Sequence, residues 1–199
     1  MTGVLLSFTM SLDGFIAGPN VGKAYPMGEG GEHLHEWLFK GSDKEPDASM
    51  SREMLERGGA TVLGKRTYDV GLPHWRDTPY PTPSFVLTHE KREPQPMKSA
   101  SFVFVNDGIE SAVRQARKAA GDKDVILMGA EVSKQALKAG LVDEIFLQLS
   151  PLLLGRGTRL FDGVDQSRIR LDCTRAVQSP YVVHLRYKVT YSSTTTVAE

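Results

Sequence analysis

The chain has 199 residues, of which 40% are apolar and 24% are charged, and its 24 basic residues balance its 24 acidic ones. This length favours one compact domain, and a formal net charge of zero gives no indication of a nucleic-acid partner or a membrane surface. The single cysteine, Cys173, excludes an internal disulfide framework and a cysteine-rich zinc site.

The first half of the chain alternates short apolar runs with turn-rich loops. Residues 4–10 are nearly all apolar and predict a buried strand, and further strands are predicted at 60–63, 84–87 and 102–105. Short helical segments are expected at 37–40 and 67–70. A longer helix is predicted to start at Ser51, with Ser49 or Ser51 as its cap, and to end at Gly58-Gly59.

The second half predicts a strand–helix alternation that ends in two antiparallel strands. Helices are expected at 109–120 and 132–139, and strands at 125–128 and 145–149. Residues 169–176 and 182–191 alternate apolar with polar side chains, as half-exposed antiparallel strands do. We therefore predict an α/β domain over residues 1–191, with a mainly parallel sheet between helices, and a disordered tail over residues 192–199.

General sequence patterns predict the cell compartment of the protein and the burial of its cysteine. Neither a secretory signal nor an apolar stretch long enough to span a membrane is recognisable, so we expect a cytoplasmic protein. Cys173 is expected to be buried as a small apolar side chain. His33 and His35 stand two residues apart without an evident third ligand, so no metal site is expected.

A glycine separates a predicted strand from a predicted helix after residue 128, where free helix N–H groups stabilise an anion. The surrounding motifs are Gly129-Ala130, Gly140-Leu141-Val142-Asp143-Glu144, Pro151, Leu154-Gly155-Arg156-Gly157 and Leu160-Phe161. In these motifs the chain resembles the dihydrofolate reductase-like superfamily, and in particular its branch related to the reductase domain of riboflavin biosynthesis. The resemblance covers residues 4–190 and implies a dihydrofolate reductase-like fold. Met128 stands where that branch usually has the first glycine of a pair.

The resemblance implies NADPH as cofactor and assigns residues to it. Gly64, Lys65, Arg66 and Thr67 follow a strand directly, and their two cations and one hydroxyl suit a phosphate. They resemble the element that holds the 2′-phosphate of NADPH. The hydroxyl of Thr88 is expected beside the adenosine end. The remaining expected contacts are Ala17 and the pyrophosphate-facing turn of Gly129, Ala130, Glu131, Val132 and Ser133.

The substrate side is assigned to the segment after the first strand. Residues 11–17, Ser-Leu-Asp-Gly-Phe-Ile-Ala, resemble a segment that flanks nicotinamide and substrate in the riboflavin-type reductases. Asp13 is then the candidate catalytic residue, orienting a polar substrate or relaying a proton, although an Asp-Gly turn explains it equally well. Phe15 and Trp75 are the other candidate substrate contacts.

The resemblance implies an NADPH-dependent reductase that transfers a hydride to a small conjugated heterocycle, similar to 5-amino-6-(5-phosphoribosylamino)uracil reductase, and a homodimer. Three alternatives stay open. A weak dihydrofolate reductase requires a carboxylate from Glu32 or Glu36 in the pterin pocket. A non-catalytic protein binds NADPH or a pterin without turnover. A degenerate relative, in which Met128 impairs the cofactor turn, binds no NADPH.

Overall fold

A nine-stranded sheet forms the centre of the protein, which a computed structural model describes for residues 3–192, the side chain of Gln166 excepted. Eleven strands are described, in chain order β1 (Val4–Ser11), β2 (Phe15–Ala17), β3 (Gly58–Gly64), β4 (Ser84–Leu87), β5 (Gln95–Pro96), β6 (Ser101–Val105), β7 (Asp124–Met128), β8 (Glu144–Ser150), β9 (Thr158–Arg159), β10 (Ile169–Gln178) and β11 (Val183–Tyr191). The α-helices are α1 (Glu36–Lys40), α2 (Asp47–Arg57), α3 (Lys65–Gly71), α4 (Ile109–Ala120) and α5 (Ala130–Lys138). Two 3₁₀ segments span Gly31–His35 and Gln166–Arg168.

The strand order of the sheet is β10-β11-β8-β1-β7-β3-β4-β6-β5. The six strands from β8 to β6 are parallel, whereas β11 and β10 at one edge and β5 at the other are antiparallel to their neighbours. The predicted fold class, a mainly parallel sheet with antiparallel C-terminal strands, is confirmed. Strands β2 and β9 pair apart from this sheet, and together with β5 they escaped prediction because two or three residues carry no periodic signal.

Helices cover both faces of the sheet, because successive strand side chains point to opposite faces. On one face α4 and α5 pack against alternate residues of β1, β3 and β7, forming a core that includes Leu6, Val62 and Leu127. On the other face Leu5 and Ile126 pack against α2, and Leu63 packs against α3. On this second face, the strand residues that alternate with those of the first core thus form two separate cores, one against α2 and one against α3.

Two local expectations were wrong. Helix α2 begins at Asp47, four residues before Ser51, and Ser49 lies within its first turn, where its hydroxyl donates to the Pro46 carbonyl over 2.8 Å. The helix starts early because its first residue is only 1% exposed and is held by a tertiary partner, which no local capping pattern signals. Cys173 is exposed, since it lies on the edge strand β10.

The single domain over residues 1–191 stays a prediction. The predicted disordered tail begins at Ser192, and its residues 193–199 lie outside the described part of the chain. No helix within residues 3–192 is long and apolar enough to cross a membrane.

Candidate functional site

A cavity of about 1160 Å³ lies at the carboxyl ends of the parallel strands. The turns that follow β3, β4, β6 and β7 all contribute to its lining. Open parallel sheets bind ligands at this edge, because loops and helix N-termini converge there. The opposite wall is formed by β1, β8, α1 and α2 and by the segment after α3. A single cavity therefore joins two chemically different surfaces.

The first surface, which we call the glycine-turn end, is built around the turn from β7 into α5. Gly129 has a φ of +98°, and a Cβ added there would lie 2.4 Å from Oγ1 of Thr67. Only glycine fits this turn without strain. The first N–H groups of α5, from Ala130 onward, have no intrahelical acceptor and carry the positive end of the helix dipole. The turn is suited to an anionic group that approaches the backbone closely.

Met128 is compatible with this turn. Gly129 has the positive φ that the turn requires, whereas Met128 does not have a positive φ. Its side chain lines the cavity and packs beside the core of Leu63 and Val86. The glycine of the family pattern is therefore not needed for the backbone at this position.

Two cations stand at the glycine-turn end, and both already have partners. Nζ of Lys65 lies 2.7 and 2.8 Å from the two carboxylate oxygens of Asp69. Nη2 of Arg66 donates to the carbonyl of Val21 over 3.1 Å, so that the guanidinium is anchored to the loop opposite. Both residues line the cavity. An anion bound here would meet Arg66 directly and would compete with Asp69 for Lys65.

The other expected cofactor residues differ in where they point. Ala17, Thr88, Ala130 and Val132 line the cavity, as do Gly64 and Thr67. Glu131 also lies on its rim, but its side chain is 79% exposed and reaches Lys134 over 3.4 Å, so its charge is directed to solvent. Ser133 is fully buried outside the lining, and its hydroxyl donates to the Gly129 carbonyl over 3.0 Å.

The second surface, the Gln148 end, is lined by residues of β1, β8, α1 and α2 together with His35 and Tyr80. The strand register places Thr9, Gln148 and His184 side by side on β1, β8 and β11. Nε1 of Trp37 donates to Oγ1 of Thr9 over 2.9 Å, and this hydroxyl donates to Oε1 of Gln148 over 3.4 Å. The row of three strands thus fixes a buried polar chain at the cavity wall.

A buried acid–imidazole pair supports Trp37 from behind. Nε2 of His184 lies 2.7 Å from Oδ1 of Asp47, and both side chains are 1% exposed. The Trp37 indole packs edge-on against the His184 ring with centroids 5.1 Å apart. Burial lowers the pKa of His184, and the carboxylate of Asp47 opposes that shift. The pair joins the start of α2 to β11 and holds one wall of the cavity.

Asp13 and Phe15 do not line the cavity. The Asp13 carboxylate accepts hydrogen bonds from the Ser11 hydroxyl (2.6 Å) and from the backbone N–H groups of Leu154 (3.1 Å) and Gly155 (2.7 Å). The hydrogen bond from Ser11, followed by those from the amides, lowers the pKa of Asp13 to about 2. Phe15 is buried beneath the Arg159 guanidinium, 4.2 Å from the ring centroid. Through Asp13, the loop after β1 is thus hydrogen-bonded to the loop after β8.

Trp75 lines the cavity and stacks on Phe102 with ring centroids 6.2 Å apart. Thr9, Trp37, Tyr80 and Gln148 are among the lining residues that local patterns did not single out. Each lies on an element that was predicted or beside one, but their convergence depends on strand register. A polar residue within an otherwise apolar buried strand, such as Gln148, is the one signal in the sequence that marks them.

The carboxylates expected of a dihydrofolate reductase lie elsewhere. Glu32 is 64% exposed, and Glu36 pairs with Lys40 over 2.8 Å at the surface. Neither lines the cavity. Across residues 3–192, no group of three histidine, cysteine, aspartate or glutamate side chains is placed to hold a metal ion.

Comparison with known proteins assigns the chain to a family. Residues 2–185 match the model of the RibD C-terminal domain. The chain belongs to the RibD C-terminal domain family. A curated relative, the uncharacterized protein YyaP of Bacillus subtilis strain 168, is 29% identical over 177 residues, which cover 84% of this chain and 84% of YyaP.

Two solved structures are similar in fold. A candidate riboflavin biosynthesis protein from Shewanella sp. PV-4 is 22% identical with a TM-score of 0.71, and the match covers 95% of this chain and 99% of that one. Dihydrofolate reductase from Enterococcus faecalis, solved in complex with NADP(H), is 14% identical with a TM-score of 0.59, covering 94% and 96% of the two chains. This RibD-type chain therefore has the dihydrofolate reductase-like fold.

Proposed function

We propose that this protein is an NADPH-dependent reductase that transfers a hydride to a small conjugated heterocycle. One observation carries the proposal: a single cavity joins a glycine turn suited to a phosphate with a wall of aromatic and aliphatic side chains. A nicotinamide at the junction of the two ends would face a flat substrate. Membership in the RibD C-terminal domain family supports the same reaction class.

The residues at the glycine-turn end fit NADPH. The space that a Cβ at Gly129 would fill and the free N–H groups of α5 suit the pyrophosphate, with the Thr67 hydroxyl beside them. Lys65 and Arg66 suit the 2′-phosphate, and Thr88 the adenosine end. NADPH would supply the hydride, while these side chains would orient the cofactor and neutralise its charge.

No observation favours the dihydrofolate reductase alternative, since Glu32 and Glu36 lie outside the cavity lining. Met128 does not adopt a positive φ, so a side chain at this position does not strain the turn, and the argument for a degenerate turn is removed. A catalytic role for Asp13 also loses support, because its carboxylate is occupied by backbone donors. The homodimer and the cytoplasmic location stay predictions. Sedimentation of the purified protein tests whether it is a homodimer.

The proposal is tested by following the absorbance of NADPH in the presence of a panel of pyrimidine, pterin and flavin-like acceptors. We expect protein-dependent oxidation of NADPH with at least one acceptor. Tight NADPH binding without oxidation of any acceptor would instead identify a non-catalytic binding protein. Absence of both binding and oxidation would reject the reductase and leave the fold.

A further inference from the structure

The Gln148 side chain presents an unused hydrogen-bond donor to the cavity. Its Oε1 atom accepts from the Thr9 hydroxyl, which is itself held by the Trp37 indole N–H. Within residues 3–192 the hydrogen bond of this side chain is made by Oε1 and leaves Nε2 available, and the side chain lines the cavity although the residue is only 3% exposed. A primary amide fixed in this way turns its NH₂ group toward the ligand space, where it can only donate.

The walls around Gln148 lack formal charge. No lysine, arginine, aspartate or glutamate lines the Gln148 end in the part of the chain that the structure describes. Phe8, Leu38 and Met54 contribute apolar surface there. Burial lowers the pKa of His35, with the Gly31 carbonyl opposing, so this ring stays neutral near pH 7. An anionic group buried at this end would have no cation to compensate its lost hydration.

The cations of the cavity stand at the other end. Lys65 and Arg66 lie beside the turn of Gly129, where Lys65 is paired with Asp69 and Arg66 with the Val21 carbonyl. They are already assigned to the cofactor phosphate. A second phosphate or carboxylate, carried by the substrate, would therefore find no matching group.

We propose that the Gln148 end binds an uncharged, planar carbonyl compound without a phosphate or carboxylate group, whose carbonyl oxygen accepts a hydrogen bond from Nε2 of Gln148. This inference deepens the proposed function and rests on it for the identity of the substrate site. It separates this protein from a reductase of a phosphoribosylated pyrimidine, which the resemblance alone would suggest. Specificity then comes from one oriented amide and from the exclusion of anions.

The experiment uses two probes with the same ring. Lumazine is a planar bicyclic dicarbonyl, and 6-carboxylumazine carries an additional carboxylate fixed to the ring, which cannot swing into solvent. Each is titrated at pH 6.5 into the full chain by calorimetry, with and without saturating NADPH. We expect lumazine to bind at least about tenfold more tightly than 6-carboxylumazine, because a buried unpaired charge is costly.

Variants at the polar chain test the role of the amide. Gln148→Leu removes the donor and is expected to weaken lumazine binding about fivefold or more, as the loss of one neutral hydrogen bond does. Thr9→Val keeps the shape of the side chain but removes the hydroxyl that holds the Gln148 amide, so that the amide can rotate. Lumazine binding should therefore weaken, by a smaller factor than in Gln148→Leu. Gln115→Leu is the matched control, since Gln115 lies on α4 outside the cavity lining, and should leave lumazine binding unchanged.

Several outcomes would overturn the inference. These are equal or tighter binding of 6-carboxylumazine, unchanged lumazine binding in both variants, or no lumazine binding at millimolar concentration by the wild-type chain. If Gln148→Leu fails to fold by circular dichroism, the comparison rests on Thr9→Val and on the two probes. Lumazine binding without NADPH binding would reject the proposed function but keep this site, and the reverse result would reject this site alone.

Discussion

At the scale of single residues, we expect the cofactor preference to depend on Lys65 and Arg66. Both line the glycine-turn end; Lys65 is paired with the carboxylate of Asp69, whereas Arg66 donates to the backbone carbonyl of Val21. A 2′-phosphate carries two negative charges that a ribose hydroxyl lacks. The two side chains should therefore distinguish NADPH from NADH by charge-assisted hydrogen bonds, which are about twice as strong as neutral ones.

Replacing both side chains, Lys65→Ala with Arg66→Ala, should weaken NADPH binding by about 10- to 100-fold while changing NADH binding little, as expected for hydrogen bonds to a charged group. Calorimetric titration with both cofactors measures the difference. Lys118→Ala, on the exposed face of α4, is the control for a general change of charge. Equal losses for NADPH and NADH would show that the pair does not contact the 2′-phosphate.

The ion pair between Lys65 and Asp69 gives an opposite prediction. Asp69→Asn removes the competing carboxylate, which lies 2.7 Å from the ammonium. NADPH binding should then become about two- to fivefold tighter, the range expected for a partly exposed ion pair, and the gain should shrink in high salt. Weaker NADPH binding in Asp69→Asn would mean that the carboxylate positions Lys65 instead of competing for it.

At the scale of elements, the turn from β7 into α5 is the feature least tolerant of change. Gly129→Ala combines a φ of +98° with a Cβ that would lie 2.4 Å from Oγ1 of Thr67. We expect NADPH binding to fall by more than tenfold, since the backbone must shift out of the phosphate position. The cost in backbone strain is about 1–3 kcal/mol.

Gly163→Ala is the control that introduces backbone strain at a positive φ without a steric clash. Gly163 has a φ of +72°, and only Nζ of Lys138, at 4.0 Å, would be near its Cβ. A smaller loss of thermal stability with unchanged NADPH binding is expected, because this alanine adds backbone strain without a close contact. If both alanine variants lose NADPH binding equally, the turn of Gly129 has no special role in the cofactor site.

The loop after β1 is attached to the loop after β8 through Asp13. Because its pKa in the folded protein is about 2, below the ordinary value of 3.8, the carboxylate contributes stability that is complete above pH 3.8. That contribution is lost as the pH falls from 3.8 through about 2. Chemical unfolding between neutral pH and pH 2 should show a smaller acid loss of stability for Asp13→Asn than for the wild-type chain. Identical pH profiles would contradict this role.

The sequence predicts long, strongly patterned elements well and tertiary contacts poorly. The apolar run of residues 4–10 and the amphipathic stretch of 109–120 match β1 and α4 closely, because burial imposes their periodicity. The start of α2 was misplaced because it depends on the pairing of Asp47 with His184, far apart in the chain. No local rule includes such a partner.

At the scale of the whole molecule, the sheet assembles the cavity from separate parts of the chain. The glycine-turn end could be predicted, because a glycine between a strand and a helix is a local pattern and parallel strands end at one edge. The Gln148 end could not, because Thr9 and Gln148 become neighbours only through the register of β1 and β8. The sequence therefore predicts the proposed cofactor side better than the proposed substrate side.

We expect one cavity to hold NADPH at its glycine-turn end. Trp37 and Trp75, the only two tryptophans of the chain, both line that cavity, so intrinsic fluorescence reports on its occupancy. The most direct measurement is a titration of the wild-type protein with NADPH and with NADH, followed by quenching of this fluorescence. We predict saturable NADPH binding at least about tenfold tighter than NADH binding, a difference of about 1.4 kcal/mol. No quenching by either cofactor would show that NADPH does not bind in this cavity.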